Sequence, residues 1–297
     1  MTSPVEAVAQ RIPAILAVDD AALHLIDLAL EEDRGAGDWT TRWTVPARTK
    51  VHATIVAKSD GVIAGVAIAA AVFLRLDPRV DFEVVVGDGE HVAPGQPVVR
   101  VKGPGRAVLT GERVALNFLQ RLSGIATVTR RFVDATAGTG ARILDTRKTT
   151  PGWRALEKAA VRAGGGANHR AGLYDMVMIK ENHAAIAGGI TEAIARVRDQ
   201  NTRGLPITVE VHSPEELDAA LEGGVERILL DNMDTATIAT LVKRARRHAT
   251  SPQVEASGNM TLERVAEVAR TGVDFISVGA LTHSAPAFDL SLRIDRP

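Results

Sequence analysis

From about residue 140 onward the hydrophobic positions fall into short, closed runs. Arg142 to Asp145, Met176 to Lys180, Ile207 to Val211, Arg227 to Leu230, Gln253 to Ala256 and Asp274 to Val278 each read as a brief buried strand that gives way to polar residues. Between them, apolar positions recur at helical spacing over Ile190 to Gln200, Pro214 to Glu222, Thr235 to His248 and Leu262 to Thr271. Strands that alternate with helices predict a parallel sheet covered by helices. Because every strand ends in polar residues, the pattern favours a barrel, even an incomplete one, over an open sheet.

The first part of the chain has a different rhythm. Ala21 to Glu32 predicts an amphipathic helix with Leu23, Ile26 and Leu30 on one face, followed by a Gly-, Asp- and Thr-rich loop over Asp33 to Arg48. Strands are predicted at Lys50 to Ala57, Asp81 to Val86 and Val98 to Lys102, and a helix of small residues at Val62 to Leu76. Gly103-Pro104-Gly105 predicts a break, after which Thr110 reads as the N-cap of a long helix. Val114, Leu116, Phe118, Leu119 and Leu122 form its buried side, and it resumes after Ser123-Gly124 over Thr127 to Ala137. The change of rhythm divides the chain into residues 1–125 and 126–297, with the C-terminal tail free to return to the first part.

Aromatic residues are only 3% of the 297, so the core is aliphatic, which suits strands buried on both faces. A net charge of -1 speaks against a general nucleic-acid or membrane-surface binder and leaves room for a local cationic pocket. The chain has no cysteine, which excludes disulfides, thiolate zinc sites and a cysteine nucleophile, and fits a cytoplasmic protein. Residues 1–17 show no signal-peptide pattern, and the apolar run Val62 to Leu74 is too short for a membrane span. The basic run Lys243 to His248 reads as a solvated helix end, where cations complement the helix dipole. His24, His52, His91 and His248 read as surface or packed residues, and Glu157 with Lys158 as an ordinary helix face.

The strand ends carry the chemistry. The first runs into Asp145-Thr146-Arg147-Lys148-Thr149 and the second into Lys180-Glu181-Asn182-His183. Later strands carry Glu210, Asp231-Asn232, Glu255 with Ser257-Gly258-Asn259, and Gly279-Ala280 followed by Thr282 and His283. Ions gathered at one rim repel one another or lose hydration unless something satisfies them. One answer is a set of salt bridges closed on themselves in the barrel mouth. The other is a ligand. Arg147, Lys148, Arg162, His169, Arg170 and Lys180 against Glu210 and Asp231 fit an anionic substrate and a magnesium ion. Ser257-Gly258-Asn259, just before a helix, reads as a phosphate cradle, with the Gly279-Ala280 turn as its partner.

These runs, with Thr110-Gly111-Glu112-Arg113, Gly164-Gly165-Gly166-Ala167-Asn168-His169-Arg170, Leu230-Asp231-Asn232 and Val278 to His283, resemble the quinolinate phosphoribosyltransferases (nicotinate-nucleotide pyrophosphorylases, carboxylating). The resemblance implies an N-terminal α/β sandwich domain and an incomplete α/β barrel. It implies an enzyme of NAD biosynthesis that joins quinolinate to phosphoribosyl pyrophosphate with Mg2+. It also implies a homodimer, with room for a larger assembly, in which Arg113 reaches the neighbouring subunit's site. Quinolinate would be held by Arg147, His169, Arg170, Lys180 and that Arg113, with Arg162 supporting the cationic pocket. Lys148, Glu210 and Asp231 would face ribose, pyrophosphate and metal. Ser257, Gly258, Asn259, Gly279, Ala280 and His283 would surround the 5'-phosphate. Glu181, Trp153, Ala160 and His212 depart from the usual pattern. The competing readings are a related protein of the molybdenum-transport type with another substrate, another phosphate-binding barrel enzyme, and a non-catalytic binder of anionic ligands.

Overall fold

The computed structural model describes residues 18–295, and the expectations placed on residues 1–17 lie outside them. The described chain forms two compact units. One runs up to Val128 and regains Thr150–Gly165 and the chain from Ala285 onward; the other comprises Thr129–Thr149 and Gly166–Ser284. The C-terminal chain thus groups with the first unit, and Thr150–Gly165 joins it.

The first unit contains helix α1 (Asp20–Arg34), α2 (Trp39–Thr44), strand β1 (Lys50–Ala57), β2 (Gly61–Val62), α3 (Val66–Leu76), β3 (Asp81–Val84), β4 (His91–Val92) and β5 (Pro97–Pro104). The long helix α4 (Gly105–Ala135) follows, and the regained segments add α5 (Arg154–Ala163) and strand β12 (Leu290–Ile294). Its main sheet has the order β12-β1-β5-β3, with antiparallel pairing throughout. Asp19 caps α1, accepting the Ala22 N–H at 2.8 Å, and Ile26 and Leu30 are buried as the periodicity requires.

Five expectations for this unit fail. The loop at Asp33 to Arg48 contains α2, because Asp38 accepts the Thr41 N–H and caps a short helix there. Gly103-Pro104-Gly105 is no break: β5 runs through Pro104 and α4 begins at Gly105. Thr110 lies inside α4, and its hydroxyl donates to Asp38 at 2.9 Å, so it caps nothing. Ser123-Gly124 does not interrupt α4 either. The Ser123 and Thr127 hydroxyls accept the Ala64 and Val62 N–H groups, and a Cβ on Gly124 would sit 2.0 Å from the Pro286 carbonyl oxygen. Glu157 and Lys158 are also not a surface face, since both are buried. Glu157 pairs with Arg121 at 2.8 Å and accepts the Thr150 N–H and hydroxyl.

The second unit holds six parallel strands: β6 (Arg142–Leu144), β7 (Val177–Ile179), β8 (Ile207–Val211), β9 (Arg227–Asp231), β10 (Gln253–Ser257) and β11 (Phe275–Ser277). Helices α6 (Glu181–Ala187), α7 (Ile190–Gln200), α8 (Pro214–Glu222), α9 (Thr235–Arg247), α10 (Leu262–Ala269) and α11 (Ala280–His283) follow strands β7 to β11. The order β6-β11-β10-β9-β8-β7 leaves β6 and β7 as the two edges, so the expected barrel is incomplete. Beside β6, Ala167 bridges to Leu144 in parallel. Val209, Val211, Ile228 and Leu230 are wholly buried, each contributing about 1.5–3 kcal/mol. The basic end of α9 is partly structural: Arg244 pairs with Asp218, and Arg246 reaches Asp274 at 2.7 Å and the carbonyls of Pro252 and Gly272. No helix among the described residues is long and apolar enough to cross a membrane.

Candidate active site

The polar ends of the six strands enclose a cavity of about 700 Å³. Arg147, Lys148, His169, Arg170, Lys180, Glu210 and Asp231 all line it. So do Ser257, Gly258, Asn259, Gly279, Ala280 and His283. Arg113 and Arg162 do not; they are exposed residues of the first unit, on α4 and in the last turn of α5.

Some of the ions do close on one another. Lys180 Nζ lies 3.1 Å from Glu210, and His183 Nδ1 accepts the Lys180 backbone N–H, fixing the strand end that presents this ammonium. Glu255 is wholly buried beneath the cavity, where it meets His169 at 3.3 Å, Arg227 at 3.2 Å and the Ser277 hydroxyl. Burial by itself would raise the Glu255 carboxyl, but His169, Ser277 and Arg227 facing it hold it below the usual range. With Glu255 neutralised from below, the mouth still presents Arg147, Lys148, Arg170 and Lys180 against Glu210 and Asp231. Burial and the nearby charge of Arg147 lower the Arg170 guanidinium from its usual range, with Asp175 acting in the opposite sense. Two mutually repelling guanidinium groups at the edge of a low-dielectric core suit a ligand with more than one anionic group.

His169, expected to help hold the substrate, lines the cavity and is also tied to the groups around it. Its Nδ1 accepts the Arg170 N–H at 2.7 Å, so Nε2 carries the ring proton and faces Glu255. The buried Asp145 carboxylate takes the His169 N–H at 2.8 Å and the Asn168 side-chain amide. The His169-Arg170 turn is thus pinned to the end of β6 from two sides. Asp145, Glu255 and His183 are the functional supports that sequence reading left without a role.

On the opposite side of the cavity the chain turns sharply. Gly258 has φ +97°, and a Cβ there would lie 2.2 Å from the Asn232 side-chain oxygen. Asn259 (φ 49°) and Asn232 (φ 54°) are left-handed as well. Gly258 and Asn259 lie just ahead of α10 with its Thr261 cap, the kind of helix start that suits a phosphate. Arg264, unremarked in the sequence, donates to the Gly258 carbonyl at 2.8 Å and holds the turn from behind. At Gly279 a Cβ would lie 3.0 Å from Lys148 Cδ and 3.2 Å from His283 Nε2, so glycine lets both side chains cross this turn. The buried Thr282 hydroxyl donates to the Lys148 carbonyl at 2.7 Å, tying the Lys148 loop to α11.

Comparison with known proteins decides the family. Residues 125–293 match the model of the quinolinate phosphoribosyl transferase C-terminal domain, and residues 38–123 that of the N-terminal domain. The chain belongs to the quinolinate phosphoribosyltransferase family. It is 48% identical over 267 residues to a probable nicotinate-nucleotide pyrophosphorylase (carboxylating) of Synechocystis, covering 90% of each chain. With the nicotinate-nucleotide pyrophosphorylase (carboxylating) of Mycobacterium leprae it shares 46% over 278 residues, covering 93% of this chain and 98% of that one. The solved nicotinate-nucleotide pyrophosphorylase of Francisella tularensis superposes with a TM-score of 0.89 at 36% identity, covering 93% and 96%. As a member of this family the chain is a phosphoribosyltransferase, a pentosyl-transferring enzyme of NAD biosynthesis.

Proposed function

We propose that this cavity joins quinolinate to phosphoribosyl pyrophosphate, giving nicotinate mononucleotide, pyrophosphate and carbon dioxide, and that Arg147 and Arg170 select the dicarboxylate. The observation that carries the reading is the buried Arg170 guanidinium at the cavity wall, lowered from its usual range by burial and by the like charge of Arg147 beside it. Arg147, Arg170 and Lys180 hold the two carboxylates, and His169 keeps the Arg170 backbone in place. Ser257, Gly258, Asn259, Gly279, Ala280 and His283 take the 5'-phosphate. The ring nitrogen attacks the anomeric carbon as the carbon–oxygen bond to pyrophosphate breaks. Lys148 meets the charge that develops on the leaving group, and Glu210 or Asp231 the positive charge on the sugar. The pyridinium so formed stabilises the electron pair left on the ring carbon when the carboxylate beside the ring nitrogen leaves as carbon dioxide, and a proton from water then takes that position. Glu210 and Asp231 are oxygen donors suited to Mg2+, which when bound stabilises the pyrophosphate oxygens. A cytoplasmic location remains part of this reading.

The direct test is mass-spectrometric detection of nicotinate mononucleotide from purified protein, quinolinate, phosphoribosyl pyrophosphate and Mg2+, with nicotinic acid in parallel. Quinolinate is expected to react at least about tenfold faster, because each lost charge-assisted contact costs roughly 1.5–3 kcal/mol. Equal rates with both acids would overturn the selection by Arg147 and Arg170.

The same reading includes a homodimer in which the exposed Arg113 completes the partner's site. Arg113→Ala and Lys180→Ala variants, each inactive alone, are then expected to regain activity when subunits are exchanged, because one hybrid site is intact. No recovery after demonstrated exchange would refute a shared site.

A further inference from the structure

Glu210 lies near the end of β8, and His212 is the first residue beyond that strand. His212 Nε2 lies 3.5 Å from Glu210 Oε1, and one donor atom each of Glu210, His212 and Asp231 lie within 4.8 Å of one another. Neighbouring groups orient all three. Lys180 takes the other Glu210 oxygen at 3.1 Å, Asn232 donates to one Asp231 oxygen at 2.6 Å, and the His212 backbone N–H donates to Glu216 at 2.6 Å. Ser213, the next residue, caps α8 and fixes the turn in which His212 sits.

We infer that His212 is a third protein ligand of the divalent cation at this site, and that its imidazole makes the site prefer Mn2+ or Co2+ to Mg2+. This deepens the proposed function by assigning the metal. Mg2+ takes oxygen donors and keeps its waters, so an imidazole adds little for it. Mn2+ and Co2+ accept carboxylate oxygen and imidazole nitrogen together, and the affinity of nitrogen ligands rises along that series. Two carboxylates supply the charge and the imidazole supplies the discrimination.

The test uses the full-length protein with inorganic pyrophosphate as the phosphate probe. Mn2+ binding is followed by electron paramagnetic resonance, Mg2+ by competition, and nitrogen coordination by spin-echo modulation of the bound Mn2+. Wild type is expected to bind Mn2+ at least about tenfold more tightly than Mg2+ and to show coupling to an imidazole nitrogen. His212→Ala should abolish that coupling and weaken Mn2+ by about tenfold or more, the lower end of what loss even of a ligand's supporting partner costs. Its Mg2+ affinity should stay within about twofold, and His212→Glu should narrow the preference. Bound Mn2+ without nitrogen coupling, equal loss of both metals in His212→Ala, or no Mn2+ binding would each overturn the inference. None of these readouts needs turnover: product from quinolinate without nitrogen coupling rejects the ligand and keeps the reaction, and the converse rejects the reaction alone.

Discussion

Alanine at Lys148 is expected to lower turnover by about two to three orders of magnitude, the usual effect of removing one preorganised group that meets developing charge. The KM for quinolinate should move little, because an interaction made only in the transition state leaves ground-state binding unchanged. The geometry supports that separation. Lys148 and Arg147 leave the same strand end, but the Lys148 stem crosses the glycine at 279 beside His283, toward the turns read as phosphate-binding. Its loop is fixed at both backbone ends, by the Thr146 hydroxyl accepting the Lys148 N–H at 3.0 Å and by Thr282 at the carbonyl. Steady-state kinetics decide the matter. Turnover within a fewfold of wild type would remove Lys148 from the leaving group, and a large rise in quinolinate KM would move it to the acid-binding side.

Leucine at Glu255 should destabilise the protein by about 3–5 kcal/mol, because it leaves Arg227 partly buried without its anion and strands His169 and the Ser277 hydroxyl. Arg227 also lies over the Phe275 ring, 4.1 Å from its centroid, so it has little freedom to turn outward. Glutamine at the same position keeps the shape and removes the charge, which allows a sharper test. The folded state holds Glu255 below its ordinary titration range. Its stabilising contribution is therefore fully present above the unfolded value near ~4.3 and is lost as pH falls through the lower folded value. The stability gap between wild type and Glu255→Gln, measured by urea denaturation, should be widest near neutrality and close in acid. A gap unchanged from neutral to strongly acidic pH would mean that Glu255 is not held as the anion.

The barrel was legible because its signal is local and repeated. Ile190 to Gln200 and Pro214 to Glu222 form helices over the residues expected, and each strand was found within about two residues. What failed needed partners distant in sequence. Thr110 has the look of a cap, yet its acceptor, Asp38, is 72 residues away. Glu157 reads as surface because nothing nearby announces Arg121. Most of the cavity residues share one sequence position, the end of a strand, and that shared position was readable. The pairing of Glu255 with Arg227 and His169 was not: Arg227 opens a strand, Glu255 sits within the next, and His169 comes from a loop. Arg113 and Arg162 were grouped with the cavity by motif, and no strand period placed them there.

Strand β12 pairs with β1, so that Ala53 faces Ile294 and Ala57 faces Leu290. During synthesis β1 and β5 leave the ribosome early, whereas the strand that covers the outer edge of β1 comes only after the whole parallel sheet has been made. Until then β1 presents a row of unsatisfied backbone groups, an invitation to wrong pairing with another nascent chain. For this enzyme a strand translated after the whole parallel sheet seals the sheet made before it, and the interval between those two events is when β1 is most open to wrong pairing.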